Sequence, residues 1–287
     1  MCLARKSVRV GSRVRRRRPL LRGREIRVTL GYRPLGGHPG RLFWRLRTED
    51  RACVRAKGVG CFDNYPAARP RVLRLKQPRP IGCVRHGAPR VNAARRKGKK
   101  IAITFDDGPA PATPRVLRIL KRYHAHATFF QLGQQLRGHR RLERQILAAG
   151  HQLANHSYNH PSLPSRSQLN LTSRLITGVA GYRPCLFRPP YGALDSRLVS
   201  DARSLHMTTV VWDVDPRDWS TPGVGAIESR VLRAAHSGSI VLLHDGGGPR
   251  GQTVAALPTI LRSLKRRGYQ LVTVGELLHY RTRYVPR

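Results

Sequence analysis

The chain has 287 residues and carries 55 lysines and arginines against 15 aspartates and glutamates, a formal net charge of +40 at pH 7. A hydrophobic content of 40% is enough for a folded core, but no stretch approaches the ~18 consecutive apolar residues of a transmembrane helix. The basic first residues are not followed by the ~7–15 apolar residues of a secretory signal, so the sequence as written does not predict export.

Residues 1–98 are predicted to form an arginine-rich N-terminal arm of low order. The run "RVRRRRPLLRGR" repels itself, and the apolar residues of the arm follow neither a helical nor a strand period. High net charge with few clustered hydrophobic residues favours disorder. An alternative is that the arm contacts an anionic polymer such as nucleic acid or a cell-wall polymer, or an anionic lipid surface.

The cysteines predict no zinc site. Four of the five, Cys2, Cys53, Cys61 and Cys83, lie within the arm, and no Cys-x-x-Cys pair occurs. A disulfide is possible, but the spacing does not identify a pair. Cys185 lies in an apolar run and is predicted to be a small buried hydrophobic residue.

From Lys99 onward, strands and helices are predicted to alternate. The predicted strands are "KKIAITF", "ATFFQLG", "HQLANH", "PCLFRPP", "MTTVVWDVD", "SIVLLHD" and "YQLVTV". A helix is predicted between each strand and the next, from "TPRVLRILKRYH" as the first to "TVAALPTILRSLKRRG" as the last. Seven strands with six intervening helices indicate an α/β fold with a parallel sheet. A distorted or closed barrel and an open doubly wound sheet both fit this pattern.

Polar side chains follow five of these strands at the point where each strand ends. They are Asp106 and Asp107, His156 and His160, Arg188, Asp215 and Asp218, and His244 and Asp245. Because the C-terminal ends of parallel strands open onto one mouth, these side chains are expected to meet there. This coincidence is stronger evidence for a functional site than any single segment.

The aspartate pair and the histidine pair together favour a metal site. His156 and His160 stand at i, i+4, and two imidazoles with one carboxylate leave a position open for water, as catalytic zinc sites do. Consecutive residues at a strand end point in different directions, so one aspartate of "TFDDGP" can bind the metal while the other faces the water. The alternatives are a simple Asp-Gly-Pro turn and two surface histidines.

The remaining segments favour acid–base chemistry. The rigid backbone of "LFRPPYG" could present an N–H group to an oxyanion, and Arg188 could pair with a carboxylate in the mouth. A carboxylate of "WDVDPRDW" could raise the pKa of His244 in "LLHD", which would then act as a general acid. A structural turn, solvated acidic residues and a core histidine are the alternatives.

Taken in order, "TFDDGP", "HSYNH", "RPPYG", "DPRDW" and "LLHD" resemble the five motifs of the NodB-homology polysaccharide deacetylases, carbohydrate esterase family 4. The resemblance covers residues 99–281 and implies a distorted (β/α) barrel of about seven parallel strands. It also implies one divalent metal ion, zinc first with cobalt, manganese or nickel as alternatives. The segment 161–187 is short, and a trimmed helix is expected there.

The resemblance implies a role for each matching residue. Asp107, His156 and His160 would bind the metal, Asp106 would be the general base, and Arg188 would hold Asp106 ionised. On the other side of the substrate, His244 would protonate the leaving amine and Asp218 would orient it. The backbone N–H of Tyr191 would stabilise the oxyanion, and the substrate would contact Trp219, Leu243 and Pro190.

The implied activity is hydrolysis of N-acetyl groups on a carbohydrate such as peptidoglycan or a chitin-like N-acetylglucosamine polymer, with release of acetate. The acetylated polysaccharide would be the partner of a monomeric enzyme, and members of the family suggest an extracellular or cell-envelope location. Two alternatives stay open. One is an O-acetyl xylan esterase or another acyl-amine deacetylase with the same site, and the other is a non-catalytic binder of anionic polymers through the arm.

Overall fold

The computed structural model describes residues 25–35, 38–49, 79–85, 87–94 and 98–284. The chain divides into two compact units, Met1–Lys76 and Gln77–Arg287. In the first unit, strands β1 (Glu25–Leu35) and β2 (His38–Glu49) pair antiparallel. Most of the predicted low-order arm lies outside the described residues, so its disorder stays a prediction.

The second unit begins before the domain start that the sequence pattern indicated at Lys99. Strand β3 (Pro80–Val84) pairs antiparallel with the last strand, β12 (Arg281–Tyr284). Strand β4 (Arg90–Val91) joins the main sheet by pairing with the strand that contains Thr209 and Val210. Residues 79–94 are therefore part of the same folded unit as the predicted α/β domain.

The main sheet is parallel throughout its paired strands. Its remaining strands are β5 (Lys100–Gly108), β6 (Thr128–Gln131), β7 (Gln152–Asn155), β8 (Leu186–Phe187), β9 (Thr208–Val210), β10 (Ile240–His244) and β11 (Gln270–Val272). The order is β10-β5-β6-β7-β8-β9-β4, with β11 also on β5. Bridges Ala93–Ser239 and Val214–Val241 connect the two ends of this order, which makes the sheet a distorted barrel and confirms the predicted fold class.

Helices surround the barrel in the predicted places. They are α1 (Thr113–Arg122), α2 (Arg140–Ala148), α3 (Arg166–Ala180), α4 (Ser196–Ser204), α5 (Val224–Ala234), α6 (Gly251–Arg266) and the short α7 (Val274–Leu277). The expectation of a trimmed helix in 161–187 is wrong, because α3 has 15 residues. Ser165 Oγ accepts the N–H of Gln168 at its start, and Gly181 ends it with a φ of 69°, so both ends are capped.

Alternation along β5 divides the core into two layers. Ile101, Ile103 and Phe105 pack outward in the large cluster shared with the helices. Ala102 packs in a second cluster with residues such as Phe130 and Val210, inside the barrel. Since neighbouring residues of a strand point to opposite faces, the inward face of β5 continues through Thr104 to Asp106. The strand thereby aims the first motif aspartate into the mouth.

A disulfide joins β3 to the barrel. Cys83 in β3 is bonded to Cys185, just before β8. Cys185 is buried, as predicted, but it forms a disulfide and is not simply a small hydrophobic residue. The partners are 102 positions apart, and their sequence spacing contains no sign of the pairing. Within the described part of the chain, no helix has the length and apolar character needed to cross a bilayer.

Candidate active site

Two histidines and one aspartate offer three ligand atoms to a common point at the mouth of the barrel. Asp107 Oδ1 lies 3.5 Å from His156 Nε2 and 3.4 Å from His160 Nε2, and all three ligand atoms lie within 4.8 Å of one another. Asp107 is the second-last residue of β5, His156 directly follows β7, and His160 precedes α3. Two segments that are distant in sequence thus supply one donor set.

The backbone at the end of β5 separates the two adjacent aspartates. Asp107 has a φ of 70°, and the register between β5 and β6 shifts between Asp106 and Gly108. Gly246 and Gly247 follow β10 and close over Asp107, where a Cβ on either glycine would overlap Asp107 atoms. Both carboxylates approach His156 Nε2, Asp106 Oδ2 at 3.7 Å and Asp107 Oδ1 at 3.5 Å, and Asp107 Oδ1 also lies 3.4 Å from His160 Nε2.

His156 is oriented by a backbone acceptor. Its Nδ1 lies 2.8 Å from the carbonyl oxygen of Arg188, and a bond there fixes Nδ1 as the protonated nitrogen. Nε2 is then the ring nitrogen that faces Asp107 and His160. Such outer hydrogen bonds set the tautomer and the ring orientation of metal-ligating histidines.

The electrostatics of the donor set also fit a cation. Burial opposes ionisation of Asp107, but the close approach of His156 and the charges of the nearby histidines outweigh it and lower its pKa to about 2. Burial and the neighbouring His156 lower the pKa of His160. Asp107 Oδ1 is buried without a hydrogen-bond partner among the described residues. An ionised carboxylate and two neutral imidazoles are the ligand forms that divalent metals require.

Asp106 is held by a buried arginine. Arg188 Nη1 donates to Asp106 Oδ1 at 2.8 Å and to Thr104 Oγ1 at 2.7 Å. The remaining guanidinium nitrogens donate to the carbonyl oxygens of Val210 and Val211. Arg188 has no exposed surface and Asp106 is only 2% exposed, so the pair is a desolvated ion pair inside the barrel.

A second acid–base pair lies on the other side of the mouth. Asp218 Oδ1 lies 2.7 Å from His244 Nδ1, and Asp218 Oδ2 accepts the backbone N–H of His244 at 2.9 Å. Thr253 donates its hydroxyl to Asp218 at 2.7 Å. Burial alone would lower the pKa of His244, but the hydrogen bond and charge of Asp218, with smaller contributions from Asp106 and Asp107, raise it.

The residues predicted to contact substrate fall into two groups. Tyr191 and Trp219 are 72% and 47% exposed at the rim, and the Tyr191 ring lies 4.5 Å from the His160 ring. Pro190 is buried beneath them. Leu243 contradicts its prediction because it has no exposed surface and packs outward in the cluster with the helices.

The strand explains the error at Leu243. His244 and Leu242 are two residues apart on β10 and share its inward face, whereas Leu243 points to the opposite face. Leu242 is therefore the leucine that can contact a group bound in the mouth. The two acidic neighbours of Asp218 stay outside: Asp213 binds His236 at 3.0 Å, and Asp215 accepts the N–H of Arg217 at 2.7 Å.

Sequence reasoning gave no role to several polar residues beneath the mouth. Thr104, which opens the "TFDDGP" motif, and Thr253, which lies outside the motifs, orient the two acid–base pairs. Asp245 is fully enclosed and accepts a hydrogen bond from Thr113 at 2.5 Å. Burial raises its pKa to about 7, with further contributions from the charges of Asp107 and Asp106. Its position in "LLHD" was the available signal.

The fold and the mouth define an α/β-barrel hydrolase with a histidine–aspartate donor set and separate basic and acidic groups. The family model described as polysaccharide deacetylase matches residues 93–210. A peptidoglycan-N-acetylglucosamine deacetylase of Bacillus cereus is 46% identical over 191 residues, which cover 64% of this chain and 90% of that protein. The chain therefore belongs to the polysaccharide deacetylase family and is a carbohydrate deacetylase by class.

Solved structures agree with this assignment. A peptidoglycan N-acetylglucosamine deacetylase in complex with a benzamide derivative has a TM-score of 0.63 and 31% identity, with 66% of this chain and 92% of that chain covered. A pseudoenzyme of carbohydrate esterase family 4 from Bacillus anthracis has a TM-score of 0.62 and 32% identity, with 67% and 70% covered. The fold thus occurs with and without activity, and the residues of the mouth must carry any functional argument.

Proposed function

We propose that the protein is a metal-dependent N-deacetylase that hydrolyses the acetamide of N-acetylglucosamine units in a peptidoglycan-like glycan. The observation that carries this proposal is the meeting of the Asp107–His156–His160 donor set with two oriented acid–base pairs at one mouth. Burying each of these charged groups costs desolvation energy, so stability of the fold alone does not explain why they are buried here.

The donor set would hold one divalent ion, for which zinc is the first choice and cobalt, manganese or nickel are alternatives. Two imidazole nitrogens and one carboxylate oxygen suit zinc and leave a position for water or substrate. When bound, the ion would polarise the acetyl carbonyl and make a bound water more acidic. The unpartnered Oδ1 of Asp107 supports this assignment.

Asp106 is the general base of the proposed mechanism. It accepts a proton from the attacking water while the oxygen of that water bonds to the acetyl carbon. The Arg188 guanidinium donates to this carboxylate at 2.8 Å, and the bond from Arg188 to Thr104 keeps the pair in position. The carbonyl oxygen becomes an oxyanion, to which the N–H of Tyr191 donates.

His244 is the general acid that completes the reaction. Its Nε2 proton goes to the sugar nitrogen as the carbon–nitrogen bond breaks, which gives acetate and a free amine. Asp218 holds Nδ1 at 2.7 Å and stabilises the imidazolium. The raised pKa of His244 favours the protonated imidazole, as a proton donor to a poor leaving group requires. Leu242 and Trp219 border the acetyl group.

The glycan assignment is supported by the names of the relatives, since the Bacillus cereus protein acts on peptidoglycan N-acetylglucosamine by its name. One solved neighbour is a domain of a multidomain xylanase from a termite hindgut metagenome, which makes an acetylated xylan the natural comparison substrate. An amide needs protonation of its leaving nitrogen more than an ester does, so the oriented His244 favours the amide.

Acetate release tests the proposal directly. The full chain, stripped with a chelator and reloaded with each candidate metal, is expected to release acetate from N-acetylglucosamine oligomers and peptidoglycan faster than from acetylated xylan. Asp106→Asn is expected to reduce the rate by ~10²–10⁴-fold. Asp201→Asn, which alters a partly exposed carboxylate paired with Arg197 away from the mouth, is the matched control. Equal rates for the two variants, or full activity after metal removal, would refute the mechanism.

A further inference from the structure

Seven exposed cations form one patch at the end of the barrel opposite the mouth. We call them the basal cluster: Lys99, Lys121, Arg122, Arg233, Lys265, Arg266 and Arg267. Lys99 precedes β5, and the others lie at or just beyond the C-terminal ends of α1, α5 and α6. Each of these helices leads into the start of a parallel strand, so all seven lie at the N-terminal end of the barrel.

Three hydrogen bonds show that these chain segments meet. Lys99 Nζ donates to the carbonyl oxygen of Arg267 at 3.2 Å, and Lys265 Nζ donates to that of Tyr123 at 2.7 Å. Arg267 also donates to the carbonyl oxygen of Leu232 near the end of α5. The cations of three helix ends and one strand start therefore share a single surface.

Helix ends explain part of this arrangement but not all of it. A lysine or arginine in the last turn of a helix interacts favourably with the helix dipole, which accounts for one or two cations at each end. Crowding three such ends together adds mutual repulsion. Across the described residues, no carboxylate oxygen lies within 4.0 Å of any cation of the basal cluster. The helices α1 and α6 themselves contain no acidic residue.

We propose that the basal cluster is a docking surface for a phosphodiester-linked polyol of the cell wall, the anionic polymer that shares a layer with the proposed glycan substrate. The choice of this polymer rests on the proposed function. A line of phosphates would relieve the repulsion within the cluster and release bound counterions. Nucleic acid fits less well, because none of the strongly exposed large hydrophobic side chains of the described residues lies in the cluster, and the neighbouring Tyr123 and Tyr269 are only partly exposed for base stacking.

The location of the cluster gives docking a consequence for catalysis. Lys100 begins β5 and Asp107 is near its end, and at ~3.3 Å per residue this places the two ends of the barrel about 23 Å apart. A polymer bound at the base would leave the mouth open to the glycan. Holding the enzyme on one component of the wall raises its effective concentration at the other.

Two triple variants of the full chain test the proposal. The basal triple replaces Lys121, Arg122 and Arg266 by glutamine, because no hydrogen bond of their side chains is recorded in the described structure. The control triple replaces Arg141, Arg174 and Arg203 on α2, α3 and α4 by glutamine, with the same change in net charge. Both retain the arginine-rich arm, so its contribution cancels in the comparison.

The measurement is binding of fluorescent poly(glycerol phosphate) between 50 and 200 mM salt. The basal triple is expected to weaken binding at least ~10-fold and to reduce the slope of log K against log salt by about 2, as loss of three phosphate contacts predicts. The control triple is expected to change affinity less than about twofold. Equal losses in the two triples, no loss in either, or tighter binding of a DNA strand of equal charge at the same surface would overturn the proposal.

Acetate release from soluble N-acetylglucosamine oligomers separates this inference from the proposed function. Both triples are expected to retain the parental rate, because neither touches the mouth. If the parent releases no acetate, the proposed function fails, while the binding comparison still decides whether the basal cluster docks the polymer.

Discussion

Arg188 and Asp106 form an ion pair at 2.8 Å in which neither side chain has more than a few per cent of its surface exposed. Arg188 also lies over the Phe130 ring at 4.1 Å. Removing one partner of such a pair leaves the other charge buried and uncompensated, which is far more costly than loss of an exposed pair. The pair is thus as important for the stability of the barrel as for the position of the proposed base.

Replacing Arg188 by methionine is therefore expected to lower the free energy of unfolding by about 3–5 kcal/mol and to abolish activity. The double variant Asp106→Asn/Arg188→Met should recover part of that stability, because no isolated charge is left. Urea unfolding followed by circular dichroism measures both. Arg197→Met, which removes an exposed arginine near Asp195 and Asp201, should change stability by no more than ~1 kcal/mol. Equal effects of the two single variants would contradict the argument.

Asp218 is expected to set the alkaline limit of activity. His244 must be protonated to donate, and its raised pKa keeps that form present above the usual range of histidine. Activity should fall as the pH rises through this pKa. Asp218→Asn removes the main stabilising charge, so the alkaline limb of the kcat profile should move to lower pH.

The control for the pH profile is a similar pair at the other end of the barrel. Asp213 lies 3.0 Å from His236 and is outside the mouth. Asp213→Asn should leave the shape of the profile unchanged even if it lowers stability. A profile for Asp218→Asn that coincides with the parental profile would show that another group limits the rate at high pH.

The sequence predicted those parts of the site that depend on periodicity and order. Strands ending in polar residues implied one mouth, and the i, i+4 histidines implied a shared donor set. The face of a residue within a short strand was harder to predict, because Leu242 and Leu243 are chemically identical and only the register of β10 with β5 distinguishes them. The partner of Cys185 was equally hidden, since it depends on where β3 packs.

The protonation state of buried carboxyl groups could not be predicted from the sequence either. Glu143 occupies the polar first turn of α2 by pattern, yet it is fully buried, and both of its oxygens lack partners among the described residues. Only packing against the sheet produces that environment. Functional residues on strand ends follow from patterns of residue type, whereas their protonation states follow from three-dimensional burial.

Glu143 should make stability fall with rising pH. Burial, followed by the charge of Asp245, raises its pKa from 4.5 to about 8. Between these values the native state holds a proton that the unfolded state has released, so stability is lost as the pH rises through this window. Glu143→Gln removes the titration and should stabilise the protein at pH 8 by an amount on the order of 1–3 kcal/mol, with a smaller effect at pH 5.

Unfolding in urea at both pH values measures this difference. Glu228→Gln on α5 is the matched control and should give the same small change at pH 5 and pH 8. If Glu143→Gln destabilised the protein equally at the two pH values, the carboxylate would be ionised and paired in the native state, contrary to its surroundings in the structure.

The Cys83–Cys185 disulfide should contribute substantially to the stability of the barrel. It closes a loop with a sequence separation of 102, and bonds of this kind typically stabilise by about 2–5 kcal/mol because they restrict the unfolded chain. The variant Cys83→Ser/Cys185→Ser should melt at a lower temperature than the parent. Dithiothreitol should lower the parental melting temperature to that of the variant without changing the variant itself. If dithiothreitol reduced the bond, so that both thiols became titratable, but left the parental melting temperature unchanged, the prediction would be wrong. In that case β3 would stay in place without the bond.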